Sequence, residues 1–190
     1  MAASAFEAAV AVTRLGLGAR PGEIDRVAAD PRGWALGQIR AEGAPQPSGA
    51  AVSTAERMEA FLAYQASGTG RREAAAPGGA PDPTAQAARQ ARQAARRAIT
   101  EDTARGFLDR VRLGLETDQG FAERWALFWT NALTVSAAKF TAGAFVDAYE
   151  REAIRPHVFG RFEDLGPAAA PHPAMLLHLD QARSAGPDSR

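Results

Sequence analysis

Hydrophobic residues recur every three or four positions over most of the chain, which is the period of an α-helix. The first apolar face carries Phe6, Val10 and Leu15, and glycines at 16 and 18 mark its end. Only the short stretch 133–135 has any strand character, and no repeat of 20–50 residues is present. We therefore expect an all-α protein, folded as an irregular multi-helix bundle.

Capping residues predict where several helices begin. Asp30 precedes Pro31, so its carboxylate is placed to cap a helix whose first position is proline. Ser53 or Thr54 caps a later helix, and a long helix begins at Pro83. The first half of this long helix is rich in Ala, Arg and Gln, whereas its second half is amphipathic.

Aromatic residues concentrate in one predicted helix that begins at Asp118. Phe121, Trp125, Phe128 and Trp129 stand at i, i+4, i+7 and i+8, which places them on one side of a helix. Because large aromatic side chains dominate protein cores, this helix is predicted to be the best buried.

Composition divides the chain into four segments. In chain order these are N-terminal helices (1–65), a flexible Ala/Gly/Pro-rich linker or insertion (66–83), a helical core (84–182), and a loop or the truncated end of a larger domain (183–190). Within the core, a helix predicted over 140–154 stops at Arg155-Pro156.

Charge and cysteine usage exclude several classes of protein. The absence of cysteine excludes disulfides, thiolate metal sites and a cysteine nucleophile. The 22 basic and 22 acidic residues balance, whereas nucleic-acid-binding domains normally carry a basic surplus. No apolar run approaches the ~18 residues of a membrane helix, and the N-terminus lacks the basic start of a secretory signal. The excess of alanine and arginine suggests GC-rich coding, so we expect a soluble, cytoplasmic, bacterial protein with no membrane contact.

The three histidines are the first candidates for chemistry. His157, His172 and His178 all lie near the C-terminal end, and the last two are six residues apart. That spacing does not place two ligands on one helix face, so a metal site would need Asp164 or Asp180 as well. Capping, packing and surface roles are therefore favoured for these histidines.

Two groups of charged residues are further candidates for a functional role. The first group predicts a solvated helix end, with ion pairs between Asp147 and Arg151 and between Glu152 and Arg155. Its members are Asp147, Glu150, Arg151, Glu152 and Arg155.

The second group is a stripe of arginines on the long helix, at positions 89, 92, 96 and 97. Such a stripe suits phosphate, but no aromatic residue is interleaved to stack bases and two acids follow at 101–102. An exposed face or a coiled-coil partner surface is favoured over nucleic-acid binding.

Five blocks in order carry a family resemblance: TRLGLGARPGEI (13–24), PRGWALGQI (31–39), ERWALFWTNALTVSAAK (123–139), YEREAIRPHVFGRFEDL (149–165) and HPAMLLHLDQARSAGP (172–187). They resemble successive blocks of the bacterial domain-of-unknown-function 1800 family. The resemblance implies a mostly helical protein with no established biochemical activity. Family members are usually much longer and continue into an Asn-Glu-Asn-x-x-Arg-Glu-Leu segment, so this chain resembles their N-terminal half.

The resemblance also selects polar residues. The family commonly has histidine where this chain has Ala132, so any role of that histidine is lost here. Positions that match the polar residues of the family motifs are Asn131, Tyr149, Arg155, His157, Asp164, His172 and Asp180. For these residues we favour buried hydrogen bonds that tie helices together over catalysis.

We therefore expect a structural or interaction module, with an unknown protein partner or a second copy as its binding partner. No cofactor and no catalytic activity are expected for this chain on its own. The alternative is half of a metal-assisted hydrolase site, completed by a missing C-terminal region. In that case His157, Asp164, His172 and Asp180 would surround a divalent metal ion.

Overall fold

The computed structural model describes residues 5–49, 51–69, 83–181 and 184–186, and within them the chain is all-α, as predicted. The α-helices are α1 (Ala5–Val10), α2 (Glu23–Val27), α3 (Pro31–Leu36), α4 (Thr54–Thr69), α5 (Pro83–Glu116), α6 (Gly120–Ala132), α7 (Phe140–Gly143), α8 (Val146–Tyr149), α9 (Phe162–Ala169) and α10 (Pro173–His178). Two π-helical turns, Ala11–Leu15 and Glu150–Ile154, and a 3₁₀ turn, Arg155–His157, continue some of them.

The predicted helix starts at Asp30 and Ser53 are confirmed. The Asp30 side chain accepts a hydrogen bond from the Gly33 N–H at 2.8 Å, with Pro31 in the first helical position of α3. Ser53 and Glu56 form a reciprocal capping box, in which each side chain accepts from the other residue's backbone N–H. Local sequence therefore sets both starts.

Both ends of the segment 66–83, predicted to be flexible, are helical in the structure. α4 continues to Thr69 and α5 begins at Pro83. Residues 70–82 lie outside the described residues, as do 182–183 and 187–190. In the part of the chain that is described, no helix combines the length and the apolar character needed to cross a membrane.

Two hydrophobic clusters hold the helices together. A small one near the N-terminus joins α1 and its π-helical turn to α2 through Ala8, Val12 and Val27. The main core gathers side chains from α4 to α10, and its large fully buried members include Phe145, Tyr149, Ile154 and Leu165.

The segment predicted as one helix over 140–154 is broken in the structure. α7 ends at Gly143, α8 begins at Val146, and the last five residues form a π-helical turn. Gly143 lies against the backbone of Ala137, where a Cβ would come within 3.0 Å of the carbonyl oxygen. The stretch 133–135 enters a connection between helices and is not a strand.

α6 buries its aromatic residues only in part. Ala122, Glu123 and Ala126 are the buried residues of α6, whereas Phe128 is exposed and Trp125 is only partly buried. The small alanines let α6 approach the core closely and bring Glu123 inside with them. The rings of Trp125 and Phe128 stack with their centroids 5.0 Å apart, and Trp125 and Trp129 pack against the main core.

The contribution of Phe61 tests this core. Its side chain is 3% exposed and contacts the rings of Tyr64, Phe140 and Phe145. We expect Phe61→Ala to lower the free energy of unfolding by about 3–5 kcal/mol, measured by urea denaturation, because it leaves a cavity. The neighbouring Leu62 is 54% exposed, and Leu62→Ala should change it by less than about 0.5 kcal/mol. Equal losses for the two variants would contradict this assignment of the core.

Candidate functional site

The most polar feature of the interior is a fully buried guanidinium group, that of Arg155. It forms a two-bonded ion pair with Glu123, with N–O distances of 2.7 and 2.8 Å. It also donates from Nε and from one terminal nitrogen to Glu150, and its remaining bond goes to the Pro45 carbonyl at 2.6 Å. These five bonds engage the five N–H groups that a guanidinium carries, so none remains for a ligand.

The π-helical turn Glu150–Ile154 makes this arrangement possible. In an α-helix, residues five positions apart are turned by about 140° relative to each other. In a π-helical turn the backbone bond spans five residues, and here the Arg155 N–H donates to the Glu150 carbonyl. The wider turn brings the side chains of Glu150 and Arg155 together.

This geometry corrects two of our predictions. The charged helix end was predicted to be solvated, but Glu150 and Arg155 are buried. Arg155 pairs with Glu150 and Glu123 in place of the predicted Glu152, because the π-helical turn changes which residues share a side. The other predicted pair, Asp147 with Arg151, is confirmed at 2.9 Å.

A loop before α4 closes over the same group. The Ala44 N–H donates to the Arg155 carbonyl at 2.9 Å, beside the bond from Arg155 to Pro45. Gly43 adopts a positive φ of 90° and lies against the backbone of Arg155 and Pro156, where a Cβ would overlap both. The loop approaches this closely because it carries glycine there.

Two cations and two carboxylates balance in this cluster. Arg110 of α5 reaches the second oxygen of Glu150 at 3.1 Å and is partly exposed. Burial by itself lowers the pKa of Arg155, but hydrogen bonds and charge from Glu123 and Glu150 outweigh it and hold the pKa above its usual value. The Arg155 guanidinium is therefore charged, and all its donors bond to groups of the protein, as in a structural contact that joins several elements.

His172 forms a second polar tie. Its Nδ1 accepts from the Ala174 N–H at 3.2 Å and caps α10, so Nε2 carries the proton of the neutral ring. Nε2 lies 2.9 Å from the Thr54 hydroxyl, and the ring contacts Tyr149 edge to face. Both nitrogens are thus engaged within the protein and neither is free for a metal ion.

Burial changes the titration of both aromatic partners. It lowers the pKa of His172, and the negative charge of Glu152 opposes this only in part. It raises the pKa of Tyr149 to about 12, and the Tyr149 hydroxyl donates to the Leu133 carbonyl at 2.9 Å. Neutral His172 and neutral Tyr149 therefore serve as hydrogen-bonding groups at physiological pH.

The other candidate residues lie elsewhere. Asn131 and Asp164 are exposed, and His157 is half-buried in the 3₁₀ turn. Asp180 is exposed and pairs with Lys139 at 2.6 Å, while His178 accepts from the Ser136 N–H. Across the described parts of the chain, no three His, Asp or Glu side chains are grouped as metal ligands. Of the motif residues, Tyr149, Arg155 and His172 are buried and hydrogen-bonded to other elements, whereas Asn131, Asp164 and Asp180 are exposed.

Most of the arginine stripe packs against the protein's own residues. The Arg92 guanidinium lies 4.6 Å from the Tyr64 ring centroid, and that of Arg96 lies 5.0 Å from the Phe140 ring centroid. Arg97 pairs with Glu101 at 2.7 Å along the helix, which leaves Arg89 as the exposed residue of the four without such a contact among the described residues. These contacts are typical of a helix held on the surface by cation–π interactions.

Sequence reasoning missed Glu123 and Thr54. Glu123 stands among the aromatic residues of α6, and its neighbours Ala122 and Ala126 mark the face that packs closely. An alanine pair at i and i+4 beside an acidic residue is the signal that favours this face over the aromatic one. Thr54 has no such signal, because its partner His172 is distant in the sequence.

A large apolar surface lies on the second half of α5. Ala104, Leu108, Val111 and Leu115 follow a four-three-four spacing, and Phe107 stands beside them. We call these five residues the α5 seam. The large side chains of the seam are exposed, with values from 42% for Val111 to 74% for Leu115. Next to the seam, a groove of about 530 Å³ separates α5 from α7 and α8.

Comparison with known proteins gives one match. A family model with the description "Protein of unknown function (DUF1800)" matches residues 10–189. No curated protein and no solved structure matches the chain.

Removal of the Arg155 side chain should lower the free energy of unfolding far more than removal of the Arg110 side chain. Arg155→Ala leaves the buried carboxylate of Glu123 without its partner and that of Glu150 with Arg110 alone, so we expect a loss of about 3–5 kcal/mol in the free energy of unfolding. Arg110→Ala removes a partly exposed partner of the same Glu150 and should cost at most about 1 kcal/mol. Arg155→Lys keeps the positive charge but has fewer hydrogen-bond donors, so its loss of unfolding free energy should lie between those of the two alanine variants. Urea denaturation of the three variants measures this order, and similar losses for all three would contradict the role of Arg155.

The lowered pKa of His172 predicts a pH dependence of stability. In the unfolded chain His172 gains its proton near pH 6.5, whereas the folded state resists protonation to lower pH. Protonation therefore favours unfolding, and stability should fall as the pH drops below about 6.5. His172→Asn retains a capping side chain without this titration, so its stability should fall less over the same range. Thermal melts between about pH 7 and pH 5 test this, and identical slopes would exclude a contribution from His172.

Proposed function

The chain belongs to the DUF1800 family, and from the α5 seam we propose that it acts as a structural and interaction module that docks another protein. The carrying observation is that a continuous apolar helix face is exposed, while the buried side chains of Arg155 and His172 already have partners inside the chain. Exposed contiguous apolar surface of this kind is typical of protein-binding sites.

The partner class follows from the shape of the seam. Spacings of four, three and four residues are those of the interface of a coiled coil. The seam therefore fits an amphipathic helix of the partner, whose side chains would pack between Leu108, Val111 and Leu115. Arg105 and Arg112 flank the seam, and each pairs within α5, with Asp102 and Asp109 respectively. With the charges beside it neutralised, the seam recognises its partner through apolar contact.

Support for a catalytic function is weaker. Of the four residues considered for a hydrolase site, His172 has both nitrogens engaged and Asp180 pairs with Lys139. Asp164 is exposed and His157 is half-buried, and the described residues bring no three such groups together. These placements favour the interaction module over a metal-assisted hydrolase.

Site-specific crosslinking tests the proposal. A photo-crosslinking amino acid replaces Leu108 in the seam or, as a control, the exposed Leu62 on α4. In cells that naturally express the protein, we expect one crosslinked protein at position 108 that is absent at position 62. Mass spectrometry identifies that protein, and its binding to the purified chain is then measured directly.

A second substitution checks that the seam itself binds. Val111→Asp introduces a charge at the centre of the seam and should reduce binding of the identified partner by at least about tenfold. Leu62→Asp places the same charge on another exposed apolar position and should leave binding unchanged. Equal crosslinking at positions 108 and 62, or equal effects of the two aspartates, would overturn the proposal.

A further inference from the structure

An apolar groove of about 550 Å³ lies on the N-terminal part of the fold, remote in sequence from the α5 seam. One wall is formed by α1 and the π-helical turn that follows it, and the other by α3. Six residues line the first wall: Phe6, Glu7, Val10, Ala11, Arg14 and Leu15. Phe6 is 75% exposed, so the groove presents an aromatic side chain that the described residues do not cover.

The sequence of the first wall is nearly symmetric about its midpoint. About a midpoint between Val10 and Ala11, Phe6 corresponds to Leu15 and Glu7 corresponds to Arg14. Each end of the wall thus offers a large apolar residue next to a charged one, and the two charges are opposite. A second copy that runs antiparallel would place each Glu7 against the other copy's Arg14, and each Phe6 against the other copy's Leu15.

The π-helical turn Ala11–Leu15 supports this arrangement. In a regular α-helix the separation of nine positions between Phe6 and Leu15 would leave these residues about 180° apart, on opposite faces. The π-helical turn winds more slowly, and in the structure both residues line the same groove. The local backbone thereby provides the two-ended apolar surface that an isologous contact needs.

The charges of the groove also favour a second copy over other occupants. Glu7 and Arg14 are exposed and form no ion pair with other described residues. An anionic amphiphile could use Arg14 and Arg32, but Glu7 would then face a ligand of like charge. A second copy satisfies Glu7 and Arg14 together, and the zero formal charge of the chain adds no long-range repulsion between copies.

We propose that this groove is the interface of an isologous homodimer, centred on Val10 and Ala11 and held in register by two Glu7–Arg14 pairs between the copies. This surface is distinct from the α5 seam. Evidence against the dimer would therefore not be evidence against the docking of a partner helix, and the reverse also holds.

A charge swap tests the dimer. Sedimentation velocity of the 190-residue chain over a range of concentrations measures the dimer dissociation constant. Glu7→Arg and Arg14→Glu each place like charges together twice, so each should weaken the dimer by at least about tenfold. The double variant restores opposite charges and should return the dissociation constant to the wild-type value. Because both positions are exposed, circular dichroism melts should remain unchanged.

Matched controls reverse exposed charges elsewhere. Glu59→Arg on α4 and Arg89→Glu on α5 should leave the dissociation constant unchanged. A wild-type chain that remains monomeric, single variants that dimerise normally, or a double variant that fails to recover would each overturn the proposal. A monomer that binds dodecanoate, and loses it with Arg14→Glu alone and in the double variant, would assign the groove to an anionic amphiphile in place of a second copy.

Discussion

The buried charge of Arg155 is the constraint on which the rest of the fold depends. A guanidinium group that is fully removed from water must find anions and acceptors within the protein. Here they come from three separate places in the chain: Glu123 on α6, Glu150 at the π-helical turn and the carbonyl of Pro45 in the loop before α4. Helices and a loop that are distant in sequence must therefore assemble around one side chain.

This constraint also explains why Arg155 has no donor left for a ligand. Charged groups at an active site usually retain a donor or acceptor that is free for a substrate. Arg155 and His172 retain none, because all of their nitrogens already bond to the protein. The described residues also expose apolar surface, including that on α1, α3 and α5, and such surface suits contact between proteins.

Local patterns predicted the helices better than the partners of their side chains. Asp30 and Ser53 set helix starts through bonds within three residues, and such short-range bonds are readable from sequence. The fully buried residues of α6 were missed, because its aromatic residues outweigh Ala122 and Ala126 in hydrophobicity while the alanines allow closer packing. The pairing of Arg155 was also misread, since an α-helical period was assumed where the backbone forms a π-helical turn. The Thr54–His172 bond depends on tertiary structure alone.

The π-helical turn at Glu150–Ile154 has a consequence for how the family can vary in length. A π-helical turn corresponds to an α-helical turn with one residue inserted. Deletion of a single residue there would restore the α-helical winding and rotate everything that follows relative to the preceding helix. The carboxylate of Glu150 and the guanidinium of Arg155, which are bonded in the structure, would then point in different directions. Relatives that retain this ion pair are therefore expected to keep the number of residues between the two positions unchanged.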